Sequence, residues 1–219
     1  MGAFQQLSAN FFKDIIKTAK DLNYSESNIL ILKGETELLK VKYPQIYNNL
    51  LSCNHHRDNR TFIEYGQDLV ASWLFEDKIV ETLRNNSIDI NLAGADRNRE
   101  ILSNSKVSSS SDTTITINNI SIPLEIMSDY TGYWTRTKRI DLRDDKYLRM
   151  VRSKSLFLGI STKDRKFVLL DFRTPLNSSY SPYHRPYGGK PCYTIHLNLN
   201  ELFDFNISNL INILNKKIK

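Results

Sequence analysis

Two carboxylates have a spacing that could do chemistry. Asp112 precedes the alternating segment TTITI, and Glu125 lies inside ISIPLEIM, with Asn118 and Asn119 between the two segments. Adjacent asparagines accept the positive φ of a tight turn, so the pair of segments predicts a β-hairpin. Side chains alternate along a strand. Ile120, Ile122, Leu124 and Ile126 therefore share one face, and Ser121, Pro123, Glu125 and Met127 share the other. In the first strand, Asp112, Thr114 and Thr116 oppose Ile115 and Ile117. Both acids are expected on the face that the aliphatic core does not use. Two carboxylates converging there offer hard oxygen donors to Mg²⁺, with Mn²⁺ able to substitute. Such an ion polarises a phosphodiester, activates a water and stabilises the leaving oxygen. If the substrate is a nucleic acid, a nearby lysine would stabilise charge on the attacked phosphate or orient the water.

The elements that would hold these acids can be read from periodicity. TFIEYGQDLVASWLFEDKIVETLR, residues 61–84, carries a broad apolar stripe and predicts the strongest helix in the chain. Glu64 and Asp68 stand four apart on it. They are either solvated acids favoured by the dipole near a helix N-terminus, or, Asp68 first, acids that complete a metal shell. A short strand is expected at SIDINLAG, then a Ser-rich loop, then the hairpin. A basic helix follows around 143–153, and SLFLGIS and KFVLLDF read as buried strands joined by the turn TKDR. The tail RTPLNSSYSPYHRPYGGKPCYTIHL looks too irregular for a core element, and NISNLINILNKKIK predicts a closing helix with lysines where the dipole favours them. Residues 8–50 read as helices, with Ser8 a possible first cap and Pro44 a boundary. The expected class is α/β (α+β), a mixed sheet in αβββαβ order flanked by helices. An N-terminal helical lobe at 1–58 would pack on a core at 59–219, or the whole would be one compact domain.

Composition narrows the class. The chain has 219 residues, 40% hydrophobic and 25% charged, as in an ordinary globular protein. No apolar run approaches the roughly 18 residues of a membrane span, and the first residues lack a secretory pattern. Cys53 and Cys192 form no CxxC pair and suit reduced intracellular thiols, so a cytoplasmic protein is expected. Cys53, His55 and His56 lack a nearby fourth ligand, which argues against zinc there. Neither GxGxxG nor GxxxxGK[ST] is present, which argues against a nucleotide cofactor. There is no GxSxG elbow either. The net charge of +6 is compatible with nucleic acid.

The element order, with Ser111–Asp112 and LEIM at Leu124–Met127, resembles the PD-(D/E)xK nuclease superfamily across about Phe62 to Phe172. The size and the Lys/Arg-rich segment after the motif are most similar to a type II restriction endonuclease. The resemblance implies a restriction-endonuclease-like fold and Mg²⁺-dependent, sequence-specific hydrolysis of double-stranded DNA, within restriction–modification. It also implies a homodimer, so that two sites address two strands. Asp112 would match the first metal-binding acid, Glu125 the second, and Asp68, or else Glu64, the helix acid. The position of the family's lysine falls on Met127, and a thioether cannot take that role. Lys138 or Lys146 would supply it from the following segment, or the chain is an inactivated variant, or the role is not needed.

DNA contact would begin with phosphates, for which Arg136, Lys138, Arg139, Arg143, Lys146 and Arg149 are candidates. Arg185, Lys190 and His184 in the tail, with several tyrosines, are candidates for base contact, or the tail is a surface loop packed by its own tyrosines. Beside a plain globular interaction protein with no DNA affinity, two other readings stay open. One is a structure-specific nuclease such as a junction resolvase. The other is a non-catalytic DNA-binding protein on a decayed nuclease fold, which Met127 favours.

Overall fold

The computed structural model describes residues 2–53, 60–94, 97–102, 111, 113–117 and 119–217, the side chain of Ile117 excepted. By contact density the chain forms two units, one of Met1–Glu81 with Ala93–Ser110, the other of Thr82–Leu92 with Ser111–Lys219. Together they are mixed α/β. Among the described residues, no helix is long and apolar enough to cross a membrane.

The first unit is helical: α1 (Ala3–Asn10), α2 (Ile15–Asp21), α3 (Glu26–Lys33), α4 (Thr36–Lys42), α5 (Pro44–Cys53) and most of α6 (Phe62–Arg84). Ser8 lies inside α1, and the cap belongs to Asp14, whose carboxylate accepts from the Lys17 N–H at 2.9 Å. Pro44 opens α5, where its missing N–H costs nothing. The polar stretch 97–102 is tied down rather than loose. Asn28 Nδ2 donates to the Arg99 carbonyl at 2.9 Å and Asn49 Nδ2 to the Ile101 carbonyl at 2.8 Å. The buried Arg99 guanidinium bridges Glu76 and Asp77, and Tyr24 donates to Asp77 at 2.5 Å. Burial opposes the Arg99 charge, but these carboxylates hold its pKa above the usual arginine value.

The second unit has two sheets. The larger runs β1–β2–β3–β5–β6–β9, from β1 (Asp89–Leu92), β2 (Thr113–Ile117), β3 (Ile120–Asp129), β5 (Leu156–Ser161), β6 (Lys166–Asp171) and β9 (Phe203–Asp204). β2 and β3 form the expected hairpin, in which Asn119 takes a φ of 62°. β3 and β5 are parallel, so the chain between them must cross over. That crossover holds α7 (Tyr133–Thr137), β4 (Arg139–Arg143) and α8 (Asp144–Ser153). β4 belongs to a second sheet, β4–β8–β7, with β7 (Ser178–His184) and β8 (Lys190–His196). Helix α9 (Ile207–Lys217) closes the chain, with Leu210 and Leu214 fully buried.

Two expectations change here. The tail read as irregular contains two paired strands. Pro182 sits in β7, an edge strand of its sheet, where a missing N–H is tolerated. The hairpin's parity holds, but its second face is not free of core. Glu125, Met127, Phe157, Gly159, Val168 and Leu170 share one face by register. There Phe157, Val168 and Leu170 meet Tyr147 and Met150 of α8, and Ile140, Leu142 and Ile195 of the second sheet. The second sheet and α8 cover that face, so two strands with buried faces on both sides read as nearly continuous apolar runs.

Gly159 makes room for this core. A Cβ there would lie 2.7 Å from the Trp134 ring, 2.8 Å from the Phe157 ring and 3.0 Å from Val168. Gly159→Ala is expected to cost about 1–3 kcal/mol of stability in urea denaturation. An unchanged midpoint would show that the Trp134 cluster yields at no cost.

Candidate functional site

Glu125 is the pivot of the second unit. Its strand places it one position from Leu124, which faces the opposite core, and it is only 1% exposed. A carboxylate moved that far from water must be neutralised or hydrogen-bonded, or the burial costs several kcal/mol. Helix α8 supplies the charges. Lys146 and Arg149 stand three apart, hence on one helical face, while Tyr147 and Met150 turn into the core. Lys146 Nζ pairs with Glu125 Oε1, and Arg149 Nη2 lies 3.1 Å from Oε2. The two cations are 24% and 22% exposed at their side chains, so each bridges solvent and the buried acid.

The other expected site residues fall as follows. Asp112 lies outside the described residues. Thr113, the next residue, pairs with Leu124, the neighbour of Glu125. Met127 packs half-buried against the Trp134–Phe157 cluster, so the position is used for core packing. Lys138 is not brought to Glu125. It takes a left-handed conformation (φ 56°) to end α7, and its Nζ donates to the Thr135 carbonyl at 2.5 Å. Lys146 is the lysine that the fold delivers to the carboxylate.

Asp68 and Glu64 belong to the first unit. Asp68 accepts from the Phe4 N–H at 2.7 Å and from Arg60 Nη1 at 2.6 Å. Glu64 caps its own helix, accepting from the Thr61 N–H at 2.7 Å. Both line a cleft of about 380 Å³ with Gly2, Arg60 and Gln67. Their oxygens are engaged by local donors, as acids near a helix start can be.

The candidate DNA contacts converge in part. Arg139, Asp141 and Arg143 alternate with the buried Ile140 and Leu142, and register places them beside His196, Thr194 and Cys192 on one face. Lys190 and His184 pair in the same row of the sheet after a bulge in β7. Arg139, Arg143 and Lys190 are exposed there, and Arg185 opens the short 3-10 turn Arg185–Tyr187. Arg136 is exposed on α7.

At the centre of this face Tyr133 donates to Asp141 Oδ2 and Thr194 to Oδ1, both at 2.7 Å. Burial, aided by Cys192 and Asp141, pushes the Tyr187 hydroxyl up to about 12. Burial likewise raises the Cys192 thiol. Sequence reading missed the grouping of Asp141, His184 and Cys192. The alternation in RIDLR and KPCYTIH is the signal that could have found it.

Neither models of known protein families nor curated proteins match this chain.

Lys146→Met should lower stability by roughly 1–3 kcal/mol, less than the loss of a wholly buried pair, because Arg149 remains on the acid. Urea denaturation at neutral pH measures this. No loss would mean that Lys146 does not neutralise Glu125.

Proposed function

We propose that the chain is a Mg²⁺-dependent, site-specific DNA endonuclease of restriction type, working in the cytoplasm as a homodimer. The observation that carries the reading is Lys146 on the carboxylate of Glu125. It supplies, from the crossover helix, a lysine that Met127 cannot provide. The long helix α6 before the three strands β1 to β3, and the parallel pair β3 and β5 whose crossover holds α8 together with α7 and β4, support the restriction-endonuclease-like reading of the fold.

Asp112 and Glu125 would hold the metal ion. Glu125 fits as a hard oxygen donor, and an arriving cation would take the place of one of its present partners. The ion would supply Lewis-acid charge at the phosphate. Lys146, with three donors on a flexible stem, would then turn to the phosphate oxygens or hold the attacking water. Arg149 keeps the carboxylate oriented through its second oxygen. Arg139, Arg143 and Lys190 would contact the DNA backbone, with Arg185 at the edge of the same sheet.

A second reading has its own support. Glu125 is buried with a cation on each oxygen, as in a structural ion pair, and Met127 is a core residue. A DNA-binding protein without cleavage would keep both features.

Digestion of unmethylated plasmid with Mg²⁺ separates the two. The nuclease reading expects discrete fragments, with Asp112→Ala and Glu125→Ala each slowing cleavage by at least about 100-fold. Full cleavage by both variants would refute the assignment. Binding of the plasmid without any cutting would favour the second reading. In either case, Arg143→Ala should weaken binding across sequences and reduce the slope of log K against log salt by about 1.

A further inference from the structure

We propose that Asp141, His184 and Cys192 form a binding site for a zinc-class transition-metal ion. This site is separate from the Glu125 centre and independent of the nuclease reading. The three come from different strands of the second sheet: Asp141 from β4, Cys192 from β8 and His184 from the end of β7. One ligand atom from each lies within 4.8 Å of the other two. Carboxylate oxygen, imidazole nitrogen and thiolate sulfur together suit a borderline-soft ion such as Zn²⁺ or Co²⁺, not Mg²⁺.

The geometry favours ligation over a simple ion pair. His184 Nε2 stands 3.4 Å from Asp141 Oδ2. That exceeds the roughly 2.7–3.2 Å of a good N–H···O bond. It equals about one edge of a tetrahedron built on metal bonds of about 2.0–2.2 Å. His184 Nδ1 is buried with no hydrogen-bond partner among the described residues. No neighbour among them therefore commits the ring proton to either nitrogen, and Nε2, the nitrogen that faces Asp141, can bind as the neutral donor.

The surroundings are arranged as supports. Thr194 and Tyr133 each donate to one oxygen of Asp141, which fixes the carboxylate plane. Tyr187 donates to the Asp141 carbonyl at 2.6 Å, and its ring lies 4.9 Å from the imidazole. Donors of this kind orient the groups that touch a metal. The β7 bulge between Ser181 and His184 turns His184 toward the other two strands. Binding would convert the Cys192 thiol to thiolate and release its proton to solvent. Three protein ligands leave a fourth position for water.

Co²⁺ titration of the full chain tests this, since a thiolate–Co²⁺ charge-transfer band in the near ultraviolet reports sulfur ligation alone. One equivalent should bind with that band, and added Zn²⁺ should abolish it. Cys192→Ser should lose the band, while His184→Gln and Asp141→Asn should weaken binding by at least about 10-fold. The half-buried His184 allows a variant that folds even where Cys192→Ser does not. A titration without the band overturns the proposal. So does a band that survives Cys192→Ser and disappears in Cys53→Ser.

Discussion

A carboxylate held inside a protein core needs permanent partners, and Glu125 imposes that requirement on the second unit. The acid sits on a central strand, almost wholly removed from water. Its neutralisation demands a helix at one distance and one rotation. Helix α8 satisfies this because Lys146 and Arg149 share a face while Tyr147 and Met150 share the adjoining one. The ion pair and the apolar packing therefore fix the same helix in the same place. Losing either would leave the other unsupported: a charge without a partner, or a core without its cover.

Met127 stands two residues on from Glu125, on the same face of the strand, and its position is used for packing. Met127 joins the cluster built on Trp134, Phe157 and Val168, where its flexible thioether fills space beside Gly159. β4 extends the arrangement. Its buried residues Ile140 and Leu142 close the core, and its outward residues Arg139, Asp141 and Arg143 make a polar face. One five-residue strand thus serves core and surface through simple alternation.

Legibility in the sequence followed periodicity. The α6 stripe, the 113–129 hairpin, the basic helix and the two buried strands after it all stand near where their patterns placed them. The second sheet did not show. Its β7 carries serines, tyrosines and a proline, and a bulge breaks its alternation, so no period survived to be read. β4 was hidden inside a run of arginines. For the candidate site, the place of Glu125 on the second face of its strand was legible from alternation, while Lys146 was a candidate only through the family resemblance and the basic run it lies in. The choice of Lys146 over Lys138 was not legible, because it depends on Lys138 turning into a left-handed helix end. The partnership of Arg149 with Glu125 also needed three dimensions, since the packing of α8 on the sheet decides it, and so did the Asp141–His184–Cys192 group, which strand register across distant segments decides.

In the proposed nuclease, Lys146 on the helix takes the lysine role that Met127 on the strand cannot. Moving that role to the strand is the direct measurement: plasmid cleavage with Mg²⁺ by Lys146→Met, and by Lys146→Met combined with Met127→Lys. The account predicts no cleavage by the first and recovered, site-specific cleavage by the second. Undiminished cleavage by Lys146→Met would contradict it.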